Sequence, residues 1–268
     1  MKIGVTIRNM GTESTAETMM ACAKAAEDAG FESLWITDHI AIPPDDAEGS
    51  GGRYVDPLIT LAWIAGATTG IKLGTGVLVL PYREALPTAK QVASLQELSS
   101  GRLLLGVGIG WMDAEFRALG RDRHERGRTS DHVLEIIDRC FADDVATLNG
   151  QDFLFKPRPP KPPILVGGAA PHALRRAARY GDGWLPMRLE PEAVSTAMRD
   201  YAAFAEEAGR PTGTITVMSG LRLGDPAAAE GRLAEYEEAG IDRFVCGIRY
   251  SSNDEYARQI EGLARIVR

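Results

Sequence analysis

Leu103-Leu104-Leu105-Gly106-Val107-Gly108-Ile109-Gly110-Trp111 is the stretch whose reading decides the fold. Its alternating glycines suggest the phosphate-binding turn of a doubly wound dinucleotide domain. That turn needs a third glycine at a spacing absent here, and it follows the first strand of its domain, whereas this run is the fourth β-like segment of the chain. The stretch therefore reads as a buried strand whose glycine-rich tip opens space in front of an aromatic wall, Trp111.

Seven further β-like runs surround it, at residues 2–7, 33–38, 72–80, 164–167, 183–185, 214–221 and 243–248, with this one at 103–108. Most are nearly continuous apolar runs, the pattern of parallel strands covered on both faces. Helical periodicity fills the intervals. Ala16, Met19, Met20, Ala23 and Ala26 share one face, as do Val133, Ile136, Ile137, Cys140 and Phe141, and Tyr256, Ile260, Leu263 and Val267. Glu-Asp-Ala-Gly at 27–30 and Glu-Glu-Ala-Gly at 206–209 and 237–240 each place a glycine where a helix must end in a left-handed residue. Eight βα units in 268 residues predict an α/β chain forming a single (β/α)8 TIM barrel over residues 1–268.

Two segments interrupt the repeat. Residues 42–56 follow the second strand, and residues 111–163 follow the fourth, carrying a helix, an Asn149-Gly150 hairpin turn and a proline-rich run at 157–163. As insertions after strand ends, both are expected to wall and cover a pocket at the barrel mouth.

Composition excludes several classes. With 44% hydrophobic and 25% charged residues and no long apolar run, the chain reads as a globular protein with no membrane partner. A net charge of −7 argues against a nucleic-acid partner. The start of the chain enters a strand pattern without a signal-like segment, so a cytoplasmic location is expected. Cys22, Cys140 and Cys246 lie far apart among apolar neighbours and read as buried fillers. His39, His124, His132 and His172 share no ligand spacing, so no metal is expected.

Candidate chemistry gathers at strand ends. Asp38-His39 closes the second strand: the histidine is suited to proton transfer near neutral pH, with the acid orienting it, contacting a ligand, or only capping nearby backbone. Gly74 and Gly76 within the third strand indicate a bulge or the close approach of another group, a flat ring or a neighbouring element. Gly167-Gly168-Ala169-Ala170 leads into a helix carrying Arg175 and Arg176, so its backbone N–H groups are candidates for a phosphate. Gly183-Trp184 brings a second aromatic side chain to the mouth.

In order, residues 34–39, 101–111 and 166–168 through 181–184, with 115–120 and 125–128, resemble the bacterial-luciferase-like superfamily and, within it, the branch dependent on the deazaflavin coenzyme F420. The resemblance spans nearly the whole chain. It implies that Asp38 and His39 contact the cofactor ring, His39 lying near the carbon that exchanges hydride. It also implies that Gly76-Val77 is a non-proline cis peptide beneath the ring and that Gly167, Gly168, Ala169 and Ala170 cradle the phosphate, while Gly108 and Gly110, opening space at the mouth, are expected to be cofactor-binding. Trp111 and Trp184 are expected to shape the substrate pocket. Sugar-phosphate dehydrogenases of that branch carry a glutamate where this chain has Trp111, which cannot pass a proton. Proton transfer would then fall to His39, or to an acid from the long loops. The expected function is hydride transfer between F420 and a small organic substrate, in a homodimer served by a cofactor-reducing enzyme. The alternatives are an FMN-dependent monooxygenase using oxygen, and a non-redox barrel lyase or isomerase acting on a phosphorylated substrate.

Overall fold

In the computed structural model, which describes residues 1–267, the alternating runs form eleven strands and nine α-helices among the described residues. The strands are β1 (Lys2–Thr6), β2 (Ser33–Ile36), β3 (Lys72–Thr75), β4 (Leu78–Val79), β5 (Leu103–Gly108), β6 (Val145–Leu148), β7 (Gln151–Leu154), β8 (Ile164–Gly167), β9 (Gly183–Leu185), β10 (Thr214–Ser219) and β11 (Arg243–Cys246). The helices are α1 (Ala16–Asp28), α2 (Pro57–Ala65), α3 (Ala85–Leu98), α4 (Asp113–Ala118), α5 (Arg126–Ala142), α6 (His172–Tyr180), α7 (Pro191–Glu207), α8 (Pro226–Glu238) and α9 (Asn253–Ile266).

Parallel pairing runs β3-β2-β1-β11-β10-β9-β8-β5 and closes through β3–β5 and β4–β5. This is the expected eight-stranded (β/α)8 barrel, with the third barrel strand broken into β3 and β4. The register explains the break. Gly74 pairs with Leu104 and Leu78 with Val107, so four residues advance on one strand while three advance on its neighbour. That surplus residue makes a bulge. At its centre the Gly76–Val77 peptide is cis, as the resemblance implies.

Glycines make room for the chain's own side chains. A Cβ on Gly74 would lie 2.3 Å from the Trp35 indole, and one on Gly4 2.8 Å from its Nε1. The flat ring against Gly74 is thus Trp35, fully buried inside the barrel with Leu104, Leu165, Leu185, Met218 and Val245. Likewise, a Cβ on Gly106 would lie 1.9 Å from the Thr75 carbonyl oxygen, and one on Gly108 2.4 Å from Val77 Cγ2. The alternating glycines of β5 accommodate the bulge beside them before they open any space.

The helices bury the faces predicted for α5 completely and for α1 in part, where Cys22 joins Met19, Ala23 and Ala26 while Ala16 stays exposed. Val267 falls beyond α9 and is 37% exposed. Gly30, Gly209 and Gly240 all have positive φ, as expected of helix-ending residues. The three cysteines are free and buried.

The second insertion needs correction. Its first part, with α4, rises at the mouth. Asn149 (φ 52°) and Gly150 (φ 75°) do turn an antiparallel β6–β7 hairpin. But that hairpin follows α5, which has already carried the chain back to the N-terminal end of the barrel, and none of residues 145–163 lines the mouth. There Arg158 donates to the Phe141 and Ala142 carbonyls, capping the end of α5. No helix among the described residues is long and apolar enough to cross a membrane.

Candidate active site

A cavity of ≈ 910 Å³ opens at the C-terminal ends of the strands. The residues singled out from sequence meet there: Asp38, His39, the Gly76–Val77 bulge, Gly108, Gly110, Trp111, Gly167 through Ala170 and Trp184 all line it. Chain order separates them by up to about half the barrel, and closure of the sheet brings them together.

His39 is placed by a partner that sequence reading did not select for this role. Glu115, on α4, is fully buried, and its Oε2 lies 2.7 Å from His39 Nδ1. The same carboxylate accepts hydrogen bonds from the Ile40 and Ala41 N–H groups and from the Tyr82 hydroxyl. Burial pushes its pKa up, but the hydrogen bonds from His39, from the Ala41 and Ile40 backbone and from Tyr82 outweigh it and hold the pKa down at about 2. An ionised Glu115 fixes the proton of His39 on Nδ1, so Nε2 is the nitrogen left for a ligand. The His39 ring is flanked by Tyr54, 4.9 Å away between centroids, and by Trp111 at 6.2 Å. Tyr54 is the contact that the first insertion makes with His39, although, against expectation, none of residues 42–56 lines the cavity. Burial, followed by the nearby Glu115 charge, raises the Tyr54 hydroxyl pKa and keeps it neutral.

Asp38 does not orient His39. Its carboxylate accepts the Val79 N–H at 2.8 Å and is gripped through both oxygens by Arg83, which also reaches Asp56. Burial pushes the Asp38 pKa up against the pull of Arg83. The pair ties the end of β2 to the strand beyond the bulge and to the N-cap of α2. Of the readings open for Asp38, backbone support is the one its hydrogen bonds express, and the orienting role belongs to Glu115.

Residues 167–170, expected to cradle a phosphate, form a turn with Gly168 at φ 121°, ahead of α6. Gly167 is held tight: a Cβ there would meet Val77 Cγ1 at 2.7 Å. Trp184 is 2% exposed and donates its indole N–H to the Gly168 carbonyl at 2.9 Å. In a trans peptide this turns the Ala169 N–H the opposite way. Trp184 thus supports the cradle from beneath in addition to lining the pocket. Arg175 and Arg176 do not serve the cradle, because Arg175 stacks on Phe204 and Arg176 is bound to Asp131 and the Gly127 carbonyl.

Sequence reading missed the opposite wall, where the segment 186–189 and residues Ala193, Thr196, Ala197 and Asp200 of α7 close the cavity. No glycine pattern marked them.

A family model described as luciferase-like monooxygenase matches residues 1–261. An uncharacterised protein of Mycobacterium tuberculosis is 33% identical over 245 residues, covering 85% of this chain and 83% of the relative. The F420-dependent hydroxymycolic acid dehydrogenase of the same organism is 32% identical over 245 residues, covering 86% of this chain and 64% of the relative. Among solved structures, the monooxygenase RslO1 from Streptomyces bottropensis superposes with a TM-score of 0.80 at 22% identity, over 99% of this chain and 98% of that one.

Proposed function

The chain belongs to the luciferase-like monooxygenase family, and from that premise we propose that it transfers hydride between the deazaflavin coenzyme F420 and a small organic substrate. The observation that carries the reading is His39, held by Glu115 with Nε2 available, across a cavity floored by the Gly76–Val77 bulge. Similarity to a dehydrogenase that depends on F420 favours deazaflavin.

The residues present suit such a group. The cavity lies in the size range of cofactor sites. Gly167 and Gly168 bring no side chain to the cradle, and although the Ala173 N–H is taken by the Ala169 carbonyl, the His172 and Leu174 N–H groups at the start of α6 suit a phosphate. Bound there, the deazaflavin would supply two-electron hydride chemistry at its central ring.

The protein moves the proton. With an alcohol as substrate, His39 Nε2 would take the hydroxyl proton, and with a carbonyl compound it would return that proton to the oxygen. Glu115 holds the imidazole in one orientation and stabilises the imidazolium formed on the way. The hydroxyl of Tyr82 completes the hydrogen bonding of that carboxylate. Asp38 acts as a positioning residue through Arg83, and Trp111, itself 63% exposed, packs edge-on beside the His39 ring.

An FMN-dependent monooxygenase, with reduced flavin from a separate reductase, is the second reading, supported by the family's description. Parallel titrations of tryptophan fluorescence with F420 and FMN separate the two. F420 is expected to bind at least ~10-fold more tightly, and the reverse order would transfer the assignment to the monooxygenase. A cytoplasmic homodimer completes the proposal, with the exposed Ile59 and Trp63 of α2 as its contact face.

A further inference from the structure

Several arginines near the barrel mouth are already neutralised, whereas Arg222 and Arg249, beyond β10 and β11, have no carboxylate among the described residues within 4.0 Å but do not line the cavity. Arg8 is paired with Glu13, Arg83 with Asp38 and Asp56, and Arg176 with Asp131. Arg188 differs. It is the single Lys or Arg among the described residues lining the cavity, and no carboxylate among the described residues lies within 4.0 Å of it. Its guanidinium makes no hydrogen bond with any described residue. The other unpaired charge in the lining, Asp200 on α7, is also beyond that distance.

The backbone at Arg188 is equally unusual. Its φ is 54°, in the left-handed region where only Gly, Asn and Asp are at ease. The other two non-glycine residues in this region have local reasons: Asn149 makes the hairpin turn, and Ser100 precedes Gly101 at the end of α3. At Arg188 the surroundings impose it. Met187 bridges to Met218, the Arg188 N–H donates to the Met218 carbonyl at 2.8 Å, and the chain must then leave the sheet for α7. A residue type poorly suited to the conformation is therefore fixed on the rim, beside the cradle and across the barrel from His39. Outliers imposed in this way cluster at active sites and ligand clamps.

We propose that Arg188 is the anion-recognition residue of this cavity, binding a phosphate or carboxylate of the small molecule held there. Arg188 is exposed at the rim, where its guanidinium can make a charge-assisted contact beside the apolar Leu185, Pro186, Leu189 and Ala197 of the lining. The anion has two sources, the charged tail of the cofactor beyond the cradle or an acidic group on the substrate. The site itself follows from geometry; only the identity of the anion rests on the cofactor reading.

Arg188→Gln, with Arg188→Lys as the conservative variant, tests it in three arms. In the first, tryptophan quenching measures the affinity for F420 and for the matching deazariboflavin that lacks phosphate and tail. Loss of ~10- to 100-fold for F420 alone, partly restored by lysine, assigns the anion to the cofactor. In the second, protein saturated with F420 is titrated with 4-oxopentanoate and with 2-pentanone, following the fluorescence of the bound cofactor. A similar loss for the carboxylate alone assigns the anion to the substrate. In the third, inorganic phosphate is titrated into the protein alone. A tryptophan response in the wild type that the glutamine variant lacks supports Arg188 even if no flavin-type cofactor binds, an outcome that overturns only the cofactor reading. If the glutamine variant matches the wild type in all three arms, Arg188 is not an anion site.

Discussion

At the scale of single residues, Glu115 carries the most consequence. Its pKa is depressed from 4.5 to about 2 in the folded protein, so its contribution is fully present above about pH 4.5 and is lost as pH falls toward 2. A shift of that size corresponds to roughly 3 kcal/mol. Acid titration followed by circular dichroism should show Glu115→Gln losing stability at neutral pH and losing part of the wild type's pH dependence between about 4.5 and 2. The same substitution should leave F420 quenching intact while lowering turnover by roughly 10²-fold and altering the pH profile of kcat/KM, because the imidazolium loses its counter-charge. An unchanged profile would remove Glu115 from proton transfer. His39→Ala should lose turnover by ~10²–10⁴-fold. Asp38-His39 was picked out because it falls at a barrel strand end, although the pair alone reads as well as a backbone cap, which is the part Asp38 plays. Glu115 lay in view within 115–120, but a glutamate one turn into a short helix normally faces solvent. Its burial depends on contacts with residues 39–41 and 82 that no local pattern encodes.

Among elements, the bulge between β3 and β4 governs the cavity floor. Gly108→Ala would place a Cβ 2.4 Å from Val77 Cγ2, and the bulge would have to move. The expected result is a loss of about 1–3 kcal/mol in denaturant-melt stability together with weaker cofactor binding. Gly231→Ala, in the middle of α8 where an added Cβ meets nothing within 4 Å, should instead stabilise by ~0.5–1 kcal/mol and leave binding untouched. Equal effects at the two sites would mean that close packing around the bulge is not what Gly108 serves. The strand positions were readable from apolar runs, and the glycines of β5 were correctly seen as special. What the glycines admit could not be read, since Thr75 and Val77 stand opposite them only once the barrel closes. The 145–163 segment was misplaced for a related reason. Length and turn chemistry identify a hairpin, but which end of the barrel it occupies depends on where α5 delivers the chain.

For the whole molecule, closure of the sheet turns eight local βα units into one cavity. It also leaves an apolar outer surface on α2, where Ile59 is 69% and Trp63 41% exposed, one helical turn apart. The proposed homodimer predicts that Ile59→Asp with Trp63→Asp yields a monomer with unchanged circular dichroism, read by sedimentation velocity; a double variant that sediments as the wild type does would place the interface elsewhere. The sequence by itself determined the barrel, the strand tips that line its cavity, the cis peptide through resemblance, and the small-residue turn after β8. These are short-range properties: apolar periodicity, strand ends and glycine spacing persist whatever the chain packs against. Only the tertiary structure decided that Glu115 rather than Asp38 holds His39, that Trp184 braces the cradle, and that Arg188 is left without a partner. Pairing of charges and burial of polar groups depend on which distant segments meet in three dimensions, and a sequence read segment by segment does not contain that information.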